Sequence, residues 1–491
     1  MRRWHGVGAV LLIGIAAATA TWGPALTQVK AQTPVAAGTF GHLQSQMGLA
    51  TGVDLVAMSD SQLAAEFDGF KALNVKWIRT LVSWQAIQSN GPGNENWHTL
   101  DRMETLAKVD GMAFILQVNT PPAAAWAKTP DSDLRCASDG TPPFSFKAYA
   151  AFAAAVAARD PGSVLEIGNE PNLAGADEWL HPSACQYTQL LQESYTAVKH
   201  ADHTAFVLSA GIGGTSGHNG DIPGATFIGQ MYTKGAKGFF DALAYHPYSY
   251  PCLLSQTALG TCTGDKTGRG WPGLQSARDT MVANGDSAKQ IWLTEFGAPA
   301  DGGINYTDQS QAAILLDGYE YWSSISWAGP MMWFTYRDKA VHTTDHKGYL
   351  GLVTADYNAA TSAGHRKLGW LAYWVLSHEP AGTRVPVPGT AGNDSWDGGV
   401  ARGPGHAADS GGRQVNRASD IASAERVASA TRFSFDSAQA TGCPVATSAA
   451  RARCARRVLS RASMRMRRAG GVRSSLARSE SARSSTASLA M

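Results

Sequence analysis

The feature that most narrows what this chain can fold into is an alternation kept up through most of its length. Eight short runs rich in apolar or β-branched residues, at 39–43, 76–84, 113–119, 163–169, 205–212, 239–248, 290–296 and 329–336, are interleaved with amphipathic stretches. Runs of that length between turn residues are strands, whereas apolar residues recurring every three or four positions mark one face of a helix. Residues 60–73 bring Leu63, Phe67, Phe70 and Leu73 to one face, with Ser59 or Asp60 placed to cap the helix. The pattern repeats at 146–159 (Tyr149, Phe152, Ala153, Val156), at 187–200 (Leu190, Leu191, Val198) and at 311–322 (Leu315, Leu316, Tyr319, Trp322), and 365–376 supplies the last helix. Strict strand–helix alternation implies a parallel sheet, because each helix carries the chain back to the edge where the next strand starts. Eight such units, 34 to 51 residues apart, predict an α/β fold of the (β/α)8, or TIM, barrel type. A doubly wound open sheet is the rival, and the Gly-rich phosphate turn it would carry after its first strand is missing.

The two ends depart from this pattern. Arg2 and Arg3 precede an apolar run at 7–20 that is too short to span a bilayer comfortably, and Ala18-Thr19-Ala20 and Val29-Lys30-Ala31 both fit a small-residue cleavage site. Residues 1–31 are therefore expected to be an export signal, leaving no stable membrane insertion once it is cleaved. From Asn393 onward there are 16 Arg, no Lys and 7 acidic residues, whereas the rest carries 25 basic and 32 acidic ones. Aromatics nearly vanish there and no hydrophobic period persists, so 391–491 is expected to be a disordered tail. An anionic-surface binder and an out-of-frame product are the other readings of so much arginine. The barrel is assigned to 32–390. Cys136, Cys185, Cys252, Cys262, Cys443 and Cys454 show no metal-ligand spacing. Export suits disulfides, Cys252 with Cys262 in one Gly/Pro-rich loop and Cys136 with Cys185 in loops on one face. No cofactor, metal or nucleic-acid partner is expected.

Two carboxylates fall where a barrel keeps its chemistry, at the C-terminal ends of strands. Glu170 closes the run Leu165-Glu166-Ile167-Gly168-Asn169-Glu170-Pro171-Asn172, in which alternation sends Glu166 and Glu170 to one side and Pro171 ends the strand. Glu295 ends Ile291-Trp292-Leu293-Thr294-Glu295. They belong to the fourth and seventh strands, which face each other across a closed barrel. Paired carboxyls across a scissile bond are what glycoside hydrolysis requires, one to protonate the leaving oxygen and one to attack or to activate water.

Asn-Glu-Pro after the fourth strand with a Glu after the seventh resembles the clan A glycoside hydrolases. The fuller set is similar to glycoside hydrolase family 39 and related bacterial endo-glycosidases. Its pieces are Val75-Lys76-Trp77-Ile78-Arg79 with Trp84 and Ile87, Thr120-Pro121-Pro122 with Trp126-Ala127, and Phe240-Asp241-Ala242-Leu243-Ala244 with His246-Pro247-Tyr248. Trp292-Leu293-Thr294-Glu295 and Tyr336-Arg337-Asp338 complete it, and together they cover roughly residues 38–380. The resemblance implies a retaining glycosidase acting on an oligo- or polysaccharide, with Glu170 as acid/base and Glu295 as nucleophile. It implies that Asn169 bonds the sugar 2-hydroxyl, Arg79 and Tyr248 hold Glu295, and His246 lines the same wall. Sugar faces are apolar and aromatic rings cover them; Trp126, Trp179 and Trp333 are expected on the catalytic face and Trp271 in the sixth loop, while mid-strand Trp77 and Trp292 are expected in the core. A carbohydrate-binding protein without catalysis and a transglycosylase are the alternatives on the same barrel.

Overall fold

The computed structural model describes residues 43–378 except 52–53, 123, 130, 176–181, 263–268, 302–305, 340–344 and 356–364. The expected export signal and tail, Trp179, Cys443 and Cys454 lie outside the described residues. Eight parallel strands close into a barrel in chain order: β1 (Met47–Ala50), β2 (Trp77–Ser83), β3 (Ala113–Asn119), β4 (Val164–Asn169), β5 (Phe206–Gly213), β6 (Ala242–His246), β7 (Ile291–Phe296) and β8 (Ala328–Phe334). Each is followed by a main helix: α1 (Asp60–Ala72), α2 (His98–Asp110), α3 (Phe146–Arg159), α4 (Ala184–Ala201), α5 (Gly224–Thr233), α6 (Gly270–Ala283), α7 (Asp308–Ser323) and α8 (Leu368–His378). The chain is a (β/α)8 barrel.

Local chemistry sets the helix starts. Ser59 caps α1 by accepting from the Gln62 N–H while the Gln62 side chain returns to the Ser59 N–H, which satisfies two otherwise orphaned donors. From there Leu63, Phe67 and Phe70 turn inward, each nearly inaccessible, and burial of such a side chain contributes about 1.5–3 kcal/mol. The structure departs from expectation at the first strand. The run at 39–43 was the expected one, but Leu43–Gln46 forms a helical turn and the strand is Met47–Ala50. Met-Gly-Leu-Ala has no β-branched residue; fit selects it. It lies between β2 and β8, with Leu49 opposite both Ile78 and Trp333. A Cβ on Gly48 would stand 2.7 Å from that of Trp77, so glycine lets this seam close.

Alternation divides every strand between two faces. The outward residues meet the helices in the main core. Inward, Ala50, Trp77, Ile115, Leu208, Trp292 and Met332 form part of a closed apolar plug. Trp292 lies edge-on to Trp77 at 5.2 Å and stacks on Phe206 at 5.4 Å. Trp77 and Trp292 are thus core residues, as expected, although they lie at the starts of their strands and not in the middle. Both expected disulfides are formed, Cys136–Cys185 and Cys252–Cys262, with sequence separations of 49 and 10. By chain entropy they contribute on the order of 4 and 3 kcal/mol respectively.

Candidate active site

The interior changes character one layer above the plug. Two residues beyond Trp77, alternation returns β2 to the inside with Arg79; two beyond Val164, β4 does so with Glu166; two beyond Trp292, β7 offers Thr294. All three are buried. A charge taken out of water persists only when paired and fully hydrogen-bonded, and here it is. Arg79 donates from Nε to Glu166 Oε2 at 2.5 Å, from Nη2 to Asn169 Oδ1 at 2.7 Å and from Nη1 to Glu295 Oε1 at 2.7 Å. Glu166 also accepts from the Gly211 N–H and from Thr294 Oγ1, both at 2.9 Å.

Glu295 ends β7 above this layer. Tyr248, two residues past β6, donates to its Oε2 at 2.7 Å, so Arg79 and Tyr248 hold one carboxylate oxygen each. Burial alone would push the Glu295 carboxyl up. The charges of His246 and Arg79, with the hydrogen bonds from Tyr248 and Arg79, outweigh it and hold the group below the usual carboxylate range. Burial and the Glu295 charge push the Tyr248 phenol well above its ordinary range, so it remains a donor.

Glu170 is presented differently. Near its end β4 passes through Gly168 at φ +86°, and the chain reaches Glu170, just past the strand, at φ +40°. A left-handed backbone costs a residue with a Cβ roughly 1–2 kcal/mol, and such strain gathers at functional sites. Its Oε1 lies 2.9 Å from His246 Nδ1, whose Nε2 lies 3.0 Å from Thr294 Oγ1. Because the Thr294 hydroxyl gives its only proton to Glu166, its oxygen accepts from His246, which assigns a proton to Nε2. Nδ1 and Glu170 then share whatever further proton the pair holds. Burial would lower the imidazole pKa, but Glu295 and Glu170 raise it above its ordinary value. The imidazole fits here because β5 carries glycine at 211, where a Cβ would overlap the ring.

Glu170, Glu295, Asn169, Arg79, His246 and Tyr248 therefore come together as one hydrogen-bonded cluster. Of the expected tryptophans, Trp126, Trp271 and Trp333 do not join it. Trp333 points outward from β8, fully buried and edge-on to Phe296 at 6.0 Å, so it is a core residue and no sugar platform. The inward residue at that tip is its neighbour Phe334, partly exposed, with Lys339 Nζ 5.0 Å from its ring centre. Trp126 is half-buried and edge-on to Trp84 at 5.7 Å. Trp271 packs on Tyr321 at 4.9 Å. Sequence reasoning missed the tie of Arg79 to Glu166, the bridge through Thr294, and Phe334. Strict alternation from Met332 would have found the last.

One ring nitrogen of His246 and an oxygen from each catalytic-side glutamate lie within 4.8 Å of one another, the only metal-compatible grouping among the described residues. The adjacent Arg79 charge and the donors already committed to Glu295 suit this cluster to protons rather than to a cation.

Comparison with known proteins gives a match to the family model for cellulase (glycosyl hydrolase family 5) over residues 41–334. No curated protein matches. Solved structures with a similar fold include a family 39 glycoside hydrolase from Bacteroides cellulosilyticus WH2, at 18% identity and TM-score 0.49, covering 69% of this chain and 64% of that one. The chain therefore spans less than two thirds of that relative. A monomeric β-xylosidase from Caulobacter crescentus CB15 follows at 16% identity and TM-score 0.48, covering 67% and 68%. Xylanase 10B from Thermotoga maritima has 14% identity and TM-score 0.45, covering 69% and 97%.

Proposed function

Because this chain belongs to the cellulase family, glycosyl hydrolase family 5, within the clan A glycoside hydrolases, we propose that it is an exported retaining glycosidase that cleaves an oligo- or polysaccharide by double displacement. The observation that carries this reading is carboxyl spacing. An oxygen of Glu170 and one of Glu295 come within 4.8 Å. Retaining enzymes keep their carboxyls about 5–5.5 Å apart, whereas inverting ones need about 6.5–9.5 Å to admit a water.

In the first step Glu295 attacks the anomeric carbon as the glycosidic bond breaks, and Glu170 gives its proton to the departing oxygen. In the second, Glu170 takes a proton from water, the water oxygen attacks the same carbon, and Glu295 leaves as carboxylate. Two inversions give net retention. Glu170 must thus be protonated when sugar binds and ionised when water attacks. The His246 imidazole beside it, with its proton on Nε2, accepts a hydrogen bond from the acid at Nδ1. Arg79 has two carboxylates, and this matters in the intermediate. Once Glu295 is an ester its charge is gone, but Glu166 still neutralises the buried guanidinium, so no uncompensated charge is left in the interior. Asn169 bonds the sugar 2-hydroxyl. Export is supported by the two disulfides, and no described helix is long and apolar enough to cross a membrane. The catalytic unit is 32–390, and the tail beyond it takes no part in the chemistry.

Azide rescue tests the roles. Glu295→Ala removes the nucleophile, and turnover is expected to fall by several orders of magnitude on every substrate. Glu170→Ala keeps it, so a nitrophenyl glycoside still forms the intermediate, which then accumulates and gives a burst. Azide needs no base and is expected to restore turnover, yielding a glycosyl azide of retained configuration. Rescue of the Glu295 variant with an inverted azide instead would exchange the two roles. Product analysis with added acceptor sugars separates hydrolysis from transglycosylation.

A further inference from the structure

Beyond Tyr248 the rim carries an aromatic group that the chemistry above does not use. Tyr248 lies edge-on to Tyr250 at 6.1 Å, and Tyr250 edge-on to Tyr306 at 5.6 Å. His346 completes the group, 5.9 Å from Tyr250 and 5.5 Å from Tyr306. The three rings come from the loops after β6, β7 and β8, and each is only partly buried. Their polar edges are largely uncommitted. Among the described residues neither the Tyr306 hydroxyl nor either His346 ring nitrogen has a hydrogen-bond partner, while Tyr250 interacts with Arg269.

Three loops that met only to pack would bury their rings and pair their polar atoms. Here apolar ring surface and free donors and acceptors reach solvent side by side. That pairing matches a pyranose, whose C–H face is apolar and whose rim carries hydroxyls. The group also starts at the nucleophile. The Tyr248 hydroxyl is on Glu295, and Tyr250 and Tyr306 lie one and two rings further out.

We propose that Tyr250, Tyr306 and His346 form a stacking subsite for a pyranose unit next to the bond being cleaved, which directs the enzyme to chains of several sugars rather than to small glycosides. This rests on the glycosidase reading above. Its test therefore separates binding from hydrolysis. Native electrophoresis through gels containing hydroxyethyl cellulose, xylan or a soluble β-1,3-glucan reads binding as retardation, separately from product release. The wild type is expected to be retarded by one of them, and Tyr306→Ala to bind it about tenfold more weakly, the equivalent of about 1.4 kcal/mol. Tyr306→Phe keeps the ring and is expected to recover most of that loss.

In hydrolysis, the Tyr306→Ala loss in kcat/KM on an oligosaccharide is expected to exceed its loss on the matching 4-nitrophenyl monoglycoside by about tenfold, carried by KM. A parallel loss on both, with a lowered melting temperature, would mean that the rings only pack the loops, and the subsite would be rejected. Equal retardation of wild type and Tyr306→Ala by every polysaccharide would reject it as well. If the gels show the Tyr306-dependent binding but no glycoside is cleaved, the subsite stands and the glycosidase reading falls.

Discussion

Two arginines sit at the centre of carboxylate clusters, and the contrast between them separates the working part of the molecule from its frame. Arg79, on β2 inside the barrel, holds Glu166, Glu295 and Asn169 and has a side chain 2% exposed. Arg159, the last residue of α3 in the outer helical ring, holds Asp101, Glu104 and Asp160 and is 18% exposed; Trp97 lies under its guanidinium. Each cluster has more carboxylates than cations. In the interior the surplus charge stays on Glu295, because His246 and Arg79 together outweigh burial. In the outer cluster Arg159 is the cation that acts on Asp160. Burial first, then the hydrogen bond and charge of Glu104, raise Asp160 to about 7 despite Arg159. The same guanidinium chemistry thus keeps a nucleophile ionised in one place and leaves a carboxyl titrating near neutrality in the other.

The largest effects are expected where water is excluded. Arg79→Met leaves Glu166 buried without its cation and loosens Glu295. We expect a loss of about 3–5 kcal/mol in urea unfolding, and kcat lower by about two to three orders of magnitude, the scale seen when a preorganised donor is removed. A loss below tenfold would sever Arg79 from the chemistry. Glu166→Gln is the subtler cut. It leaves Arg79 relying on Glu295 alone, so forming the ester strands the cation. The first step is expected to slow by about tenfold, near 1.4 kcal/mol, and the burst in a Glu170→Ala background to slow by the same factor. An unchanged burst rate would show that Glu166 is not the counter-ion.

The pH profile sharpens the comparison next. Glu295 is held low, so kcat/KM falls on the acid side only below the ordinary carboxylate range. On the alkaline side activity is expected to follow the His246 imidazole, which, against burial, the Glu295 and Glu170 charges raise above its ordinary value. His246→Gln removes that imidazole and is expected to shift the alkaline limb. An unmoved limb would exclude His246 from the proton's path.

The outer cluster gives the smallest effects. Arg159→Ala is expected to lower stability by about 1 kcal/mol and to leave kcat unchanged, since partly exposed pairs are screened. A carboxyl raised on folding stabilises the fold at low pH, and that contribution is lost as pH climbs from the unfolded value near 3.8 to the folded one near 7. Asp160→Asn is therefore expected to flatten the dependence of melting temperature on pH in that window and to raise stability slightly at pH 8. Identical pH slopes for the variant and wild type would place the titration elsewhere.

Much of this was legible in the residues. The barrel followed from periodicity alone, and Glu170 and Glu295 stood out because a polar residue at a strand's end has nothing structural to do there. Arg79 was readable for the opposite reason, since a cation inside a strand demands a partner. What could not be read was which partner. Glu166 and Arg79 are 87 positions apart, and only closure of the barrel brings β4 and β2 to hydrogen-bonding distance. Trp333 was misjudged because a strand tip was treated as one place when it has two faces, and the larger ring took the buried one. β1 escaped because its sequence is chosen by the width of the seam it fills and not by strand preference.

Gly211 extends this to heredity. Every amino acid that could replace glycine there brings a Cβ, and the space where that atom would go is filled by the His246 ring, 2.6 Å from its Cε1 and 2.7 Å from its Cδ2. No conservative substitution exists at such a position. A residue that donates no proton, touches no sugar and carries no side chain is as unforgiving to a missense change as the two glutamates. In a saturation library selected for sugar release, codon 211 would come back as invariant as codons 170 and 295.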